Sequence, residues 1–217
     1  MEVKVKKILP ILLIGVIMFS FLSPKRAIAQ NVKETIILPV AQKEGGMPLM
    51  EALNQRHSSR SFAETELPDQ MLSNLLWAAW GYNRDELKKR TAPSSMNKQE
   101  ISIYLALEKG LYQYNAEKHI LELIKTEDLR ATTGKQPFVG LAPLNLIFVA
   151  DTKKQSTATS SYANVGFISQ NVYLFCTSEG LGTVVRGWYN SDKLHKAMGL
   201  SKQQSIILCQ TVGYPKK

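Results

Sequence analysis

Residues 101–114 constrain the fold more than any other part of this sequence. Ile101, Ile103, Leu105 and Leu107 alternate with Ser102, Tyr104 and Ala106, the period of two expected of a strand. Lys109-Gly110 then reads as a turn, and residues 111–114 as the returning strand of a hairpin. A hairpin at this point breaks the strand–helix–strand rhythm that a parallel, doubly wound sheet needs. Residues 144–149 and 206–212 are short apolar runs that read as buried strands, and residues 183–188 read as another. Helices are expected around them. Met47, Met50 and Leu53 have helical spacing over 47–55. Met71, Leu72, Leu75, Leu76 and Ala79 make one apolar face of a helix that Pro68 opens and Gly81 ends. Residues 162–179 form a long helix closed by Gly180, and 194–198 a short one capped by Ser191 or Asp192. The fold class is α+β, a mainly antiparallel central sheet wrapped by helices.

The N-terminus reads as an export signal. Lys4, Lys6 and Lys7 precede an apolar run over 8–22, broken in character only by Pro10, Gly15 and Ser20, and Ala27-Ile28-Ala29 is followed by Gln30. That layout is a secretory signal peptide cleaved after Ala29, and the run is short for a membrane span. The predicted division is a signal peptide over 1–29, an N-terminal arm over 30–46 and one domain over 47–217. The mature protein is then exported, to the periplasm. An uncleaved membrane anchor is the rival, favoured by Lys25-Arg26 beside the cleavage point. The residue directly after that point is Gln30 and not a cysteine, and no paired arginines precede the run, which argues against a lipoprotein and for the general secretion route.

Removing the signal leaves roughly 190 residues, enough for one domain with a real core. The formal net charge of +9 is partly a property of the signal, which carries Lys4, Lys6, Lys7, Lys25 and Arg26 against Glu2. The remaining excess suits either a solvated surface or a groove for anionic ligands. No basic–aromatic stripe argues for nucleic acid. Cys176 and Cys209 lie among apolar residues and outside any metal-ligand spacing, so they read as buried thiols; a disulfide between them stays open.

Three segments collect residues that packing does not explain. Arg56-His57-Ser58-Ser59-Arg60 offers two guanidiniums and hydroxyls, the donor set of a phosphate site, although a solvated helix end would look the same. Pro93-Ser94-Ser95-Met96-Asn97-Lys98-Gln99 offers small side chains and two amides, which match the mixed donor–acceptor edge of a heterocycle or simply make a polar loop. Gly180-Leu181-Gly182-Thr183-Val184-Val185-Arg186-Gly187-Trp188 places glycines where a backbone or a flat ligand comes close. Those glycines lack the strand–turn–helix setting of a dinucleotide fingerprint. The HExxH, GxSxG and Walker patterns are absent, and His57, His119 and His195 are scattered. So few reactive side chains suit an enzyme whose cofactor does the chemistry.

In this order the segments resemble the nitroreductase family of FMN enzymes. The resemblance also takes in Leu75-Leu76-Trp77-Ala78-Ala79, Ala142-Pro143, Gln170-Asn171 and Val212-Gly213-Tyr214-Pro215, and Trp80-Gly81-Tyr82-Asn83-Arg84 is similar to a branch with azoline-oxidising dehydrogenases. It implies a nitroreductase-like fold and a homodimer with FMN at the subunit interface. It implies ping-pong turnover, in which NAD(P)H reduces the flavin and an electron-poor small molecule, such as a nitroaromatic or quinone, removes the electrons. Carried over by position, Arg56, His57, Ser58 and Arg60 would bind the phosphate and ribityl chain, with Lys216 as a C-terminal basic ligand. Pro93, Ser94, Ser95 and Asn97 would contact the ring from the partner subunit, Gln136 its pyrimidine edge, and Arg186 and Gly187 its reactive nitrogen. No residue is assigned a catalytic role of its own, and no metal is expected.

This sequence departs from that pattern at two places. Arg186 stands where many relatives carry an acidic or neutral residue, and Lys216-Lys217 stands where many carry a longer tail. Both keep open a non-catalytic flavin or small-ligand binding protein on the same fold. The export signal adds a conflict, because NAD(P)H is scarce outside the cytoplasm: either the donor differs, or the segment anchors the protein facing inward.

Overall fold

The computed structural model describes residues 1–2 and 35–216. The signal peptide, its cleavage after Ala29 and the start of the arm lie outside the described residues. All the elements belong to one unit, Lys33–Lys217.

A seven-stranded sheet organises that unit. In chain order its strands are β1 (Thr35–Ile37), β4 (Ile101–Leu107), β5 (Gly110–Asn115), β6 (Ile120–Lys125), β7 (Leu144–Asp151), β8 (Gly182–Arg186) and β9 (Gln204–Gly213), while β2 (Tyr82–Arg84) and β3 (Lys89–Arg90) make a separate small hairpin. The spatial order is β1-β6-β5-β4-β7-β9-β8, and every neighbouring pair is antiparallel. The four α-helices are α1 (Leu49–Gln55), α2 (Asp69–Trp80), α3 (Ala158–Ser178) and α4 (Ser191–Met198).

Alternation along the central strands sends side chains into two cores. Ile101, Ile103, Leu105 and Leu107 of β4 point to the same layer as Leu144, Leu146 and Phe148 of β7, in register at Leu105 with Leu146 and Ile103 with Phe148. There they meet Leu72, Leu75 and Leu76 of α2 and Val165, Ile168 and Val172 of α3. Tyr104 and Ala106 of β4 and Ile147 and Val149 of β7 face the opposite layer, which Leu194 and Met198 of α4 help to cover. Leu75 and Leu76 have no exposed surface, and full burial of such a side chain stabilises by about 1.5–3 kcal/mol.

Several element boundaries differ from expectation. Helix α3 begins at Ala158, not at residue 162, because its first turn is a polar capping box: Ser160 N–H donates to Thr157 Oγ1 at 3.0 Å and Thr157 N–H to Ser160 Oγ at 3.0 Å. Asn190 caps α4, in place of Ser191 or Asp192, accepting from Lys193 N–H at 2.9 Å. Strand β8 ends at Arg186, so Gly187 and Trp188 lie beyond it. Strand β6 was not read from the sequence, since the turn before it contains no glycine or proline; His119 closes that turn at φ 53°. Cys176 and Cys209 are both buried and unpaired.

Candidate functional site

The segment after α1 leaves the helix extended. Arg56 has φ −58° and ψ 131°, and its N–H still bonds the Ala52 carbonyl. The chain then runs onto the sheet edge, where Ser59 N–H donates to the Thr183 carbonyl of β8 at 3.0 Å. Gly182 makes this approach possible, because a Cβ there would lie 2.8 Å from Ser59 Cβ. The close contact that Gly182 permits is therefore with the Arg56–Arg60 segment. Further on, Phe62 bridges Pro215, Ala63 N–H donates to the Tyr214 carbonyl at 2.9 Å, and Lys216 N–H to the Ser61 carbonyl at 3.3 Å. Lys216 is thereby brought to the segment that carries Arg56, His57, Ser58 and Arg60.

Tyr173 of α3 organises the centre of this group. Its hydroxyl accepts from Val185 N–H at 3.1 Å and lies 2.9 Å from Ser58 Oγ, while the Arg56 guanidinium stacks 5.0 Å from its ring centroid. Arg56 Nε is buried and has no hydrogen-bond partner among the described residues. His57 and Arg60 are exposed, with His57 Nδ1 3.0 Å from the Gln55 carbonyl. Tyr173 was not singled out in the sequence. Its signal is a hydroxyl on the apolar face of a helix, which must find a polar partner when buried.

The Pro93–Asn97 loop sits elsewhere on α3. Ser95 N–H donates to Asn164 Oδ1 at 3.1 Å, and Asn164 Nδ2 to Glu100 Oε1 at 2.8 Å. Asn164 and Tyr173 are nine positions apart on one helix, about 13 Å along its axis. In a single chain the loop and the Arg56 segment are thus separate groups. The loop is strained: Met96, Asn97 and Gln99 have φ of 50°, 55° and 48°. It is also braced, by Gln99 N–H to Ser94 Oγ at 3.0 Å, Gln99 Nε2 to Asn97 Oδ1 at 3.1 Å and Arg90 Nε to Gln99 Oε1 at 2.8 Å.

At the end of β8, Arg186 and Gly187 diverge. Gly187 and Trp188 are exposed, whereas Arg186 is 5% exposed and turns inward. Its Nε donates to Thr211 Oγ1 at 3.0 Å, Nη1 to the Thr133 carbonyl at 2.7 Å and Nη2 to Asn145 Oδ1 at 2.8 Å. Burial lowers its pKa and the nearby Cys209 thiol acts the other way, but a guanidinium stays charged. Thr133, Asn145 and Thr211 carried no functional signal in the sequence. Lys135 N–H donates to the Trp188 carbonyl at 3.1 Å, so residues 133–136 pack along the end of β8. Gln136 Oε1 is buried there without a hydrogen-bond partner among the described residues.

The most voluminous of the described cavities is about 520 Å³, and Ala52, whose carbonyl accepts from Arg56 N–H, is one of its wall residues. Lys43, Leu49, Trp77, Asn171 and Phe175 are among its walls, and none of the sequence-predicted site residues lines it. Among the described residues no cluster could hold a metal ion.

Comparison with known proteins agrees with this architecture. The profile of the nitroreductase family matches residues 53–214. A nitroreductase-type protein of Methanocaldococcus jannaschii is 29% identical over 176 residues, covering 74% of this chain and 88% of its own. A crystal structure of a nitroreductase-type protein from Ralstonia eutropha superposes with a TM-score of 0.81 at 44% identity, over 86% of this chain and 92% of that one. The fold is also that of a nitroreductase-type protein from Desulfovibrio desulfuricans crystallised with FMN, with a TM-score of 0.61 at 18% identity over 80% of this chain and 89% of that one. The chain belongs to the nitroreductase family.

Proposed function

We propose that this protein is an FMN-dependent oxidoreductase, a homodimer that takes electrons from NAD(P)H and passes them to an electron-poor small-molecule acceptor. The observation that carries the reading is that two of the seven buried side-chain atoms without a hydrogen-bond partner among the described residues, Arg56 Nε and Gln136 Oε1, lie on the two segments picked out for the flavin's phosphate side and ring. A buried donor or acceptor left unmade is costly, so such atoms suit a ligand that completes them. The FMN bound in the Desulfovibrio structure supports the same choice.

In this reading Arg56, Ser58 and Arg60 hold the phosphate, with His57 and Lys216 beside them. Arg56 is aimed by stacking on Tyr173, and Ser58 by the Tyr173 hydroxyl. The Gln136 amide and the exposed backbone at Gly187 face the ring. When bound, FMN supplies two-electron transfer between donor and acceptor. Pro93, Ser94, Ser95 and Asn97 of a second copy close the site, which accounts for their distance from the phosphate group within one chain. The exposed face of α3, with Tyr162 at 53% and Phe167 at 48% exposure around Ala163 and Gly166, is the surface for that second copy. Before folding, the N-terminal segment directs export and is cleaved after Ala29; if it stays attached, it anchors the protein to the membrane.

Replacing both arginines of the phosphate group tests the assignment. Arg56→Ala with Arg60→Ala purifies folded and loses FMN, read as visible absorbance per protein. Unchanged flavin content in the double variant would refute the phosphate assignment. Protein that holds FMN but never exchanges electrons with any donor would instead be the binding protein that the sequence left open.

A further inference from the structure

The Arg186 guanidinium is a buried cation with no carboxylate counter-charge among the described residues. Its hydrogen-bond partners are a carbonyl, an amide oxygen and two threonine hydroxyls, and the ion pairs among the described residues lie elsewhere. Burying an unpaired charge is expensive, and neutral acceptors only partly offset the cost. The cation is also firmly placed. Gly134 has no room for a Cβ, because Arg186 Nη1 occupies that space, and the same point lies 3.1 Å from Gln136 Oε1. Arg186 Nη1 and Gln136 Oε1 therefore lie together beside Gly134, and Gly187 follows Arg186 in the chain.

We propose that Arg186 sets the reduction potential of the flavin, its buried charge favouring the reduced and negatively charged ring. The inference rests on the FMN reading above. Hydride transfer from NAD(P)H brings two electrons and one proton to a neutral oxidised ring, leaving NAD(P)⁺ and one negative charge on the flavin. A cation screened from water by protein acts on that charge far more strongly than a surface lysine would. No direct contact is required, which fits a side chain turned away from solvent. Arg186 is thus a positioning residue for charge and touches neither donor nor acceptor.

The test is the two-electron midpoint potential of the purified holoprotein, together with the affinity of its oxidised flavin for sulfite, an anion that adds to electron-poor flavin rings. Three variants separate charge from architecture. Arg186→Gln removes the charge, Arg186→Lys keeps it without the fork, and Asn145→Asp leaves the arginine in place but sets a carboxylate where Asn145 Oδ1 now accepts its Nη2–H at 2.8 Å. Expected are a sulfite dissociation constant raised about tenfold or more in Arg186→Gln and Asn145→Asp, and a potential lower by about 30 mV or more, the two-electron equivalent of tenfold. Arg186→Lys should stay within about threefold of the parent. Equal shifts in all three variants, no shift in any, or loss of flavin from all three folded variants would assign Arg186 to loop architecture and overturn the proposal. A parent protein that binds no FMN overturns the underlying reading first, and this one with it.

Discussion

At the residue scale, buried polar groups carry most of the information. Tyr173 joins Ser58, Val185 and Arg56, so three elements are fixed through one hydroxyl and one ring. Tyr173→Phe should keep the fold and weaken FMN binding by about tenfold, the effect of releasing one well-placed hydrogen-bonding group; flavin titration of the apoprotein measures it. The two thiols make a contrasting case. Burial pushes Cys209 up to about 12, partly opposed by Arg186, and pushes Cys176 up as well. A thiol reagent at neutral pH should label neither cysteine in the native protein and both in denaturant, read by mass spectrometry; fast native labelling would contradict the packing. His119 gives a pH signature. It links Ser73, 2.7 Å from its Nε2, to the Tyr114 hydroxyl, 3.0 Å from its Nδ1. Burial lowers its pKa below 6.5, opposed by hydrogen bonding at Pro39 and aided by Lys43. The folded protein then binds this proton less readily than the unfolded chain, so stability present above pH 6.5 is lost as the pH falls below it. The melting temperature of His119→Asn should fall less steeply through that range than that of the parent, and parallel curves would contradict the assignment.

At the scale of elements, the Pro93–Asn97 loop shows what a sequence withholds. Its composition was legible as a polar loop with two amides, but three left-handed residues in a row of four positions were not. Strain of that kind depends on braces outside the loop, here Arg90 and Glu100 on either side of it and Asn164, which is distant in sequence. Met96 is 74% exposed at φ 50°, so Met96→Gly removes strain and little packing. Its stability should rise by about 1 kcal/mol in denaturant unfolding. The central hairpin was legible for the opposite reason: the alternation in β4 is local and its periodicity is clean. The sequence did not show that β4 is covered on both faces, since Ser102, Tyr104 and Ala106 look like a solvent face until α4 and its neighbours pack there. Likewise Arg186 could be located at the end of a strand, yet its inward turn depends on Thr133, Asn145 and Thr211, which only the sheet brings together.

At the scale of the whole molecule, the proposed flavin site is an arrangement of two copies. One chain brings Arg56, Ser58 and Lys216 alongside the first part of β8 and Gln136 and Gly187 to its end, and holds the proline–serine loop away from them. The α3 face around Gly166 is the surface expected to close that gap. Phe167→Glu on it should convert the dimer to monomer in size-exclusion chromatography and lose FMN in the same step, because the ring contacts leave with the partner. A monomer that keeps its flavin would contradict the shared site. The order of the three segments was the legible part of this site, since each alone reads as surface. Their assembly was not legible, because it needs the antiparallel sheet and, in the proposed reading, a second subunit.

The most direct measurement is anaerobic stopped-flow absorbance of the purified protein mixed with NADH or NADPH and then with a quinone. The protein should arrive yellow, its flavin band near about 450 nm should bleach with at least one of the two donors, and the quinone should restore it. Protein that takes up no FMN, or whose flavin neither donor bleaches, would contradict an FMN-dependent NAD(P)H oxidoreductase.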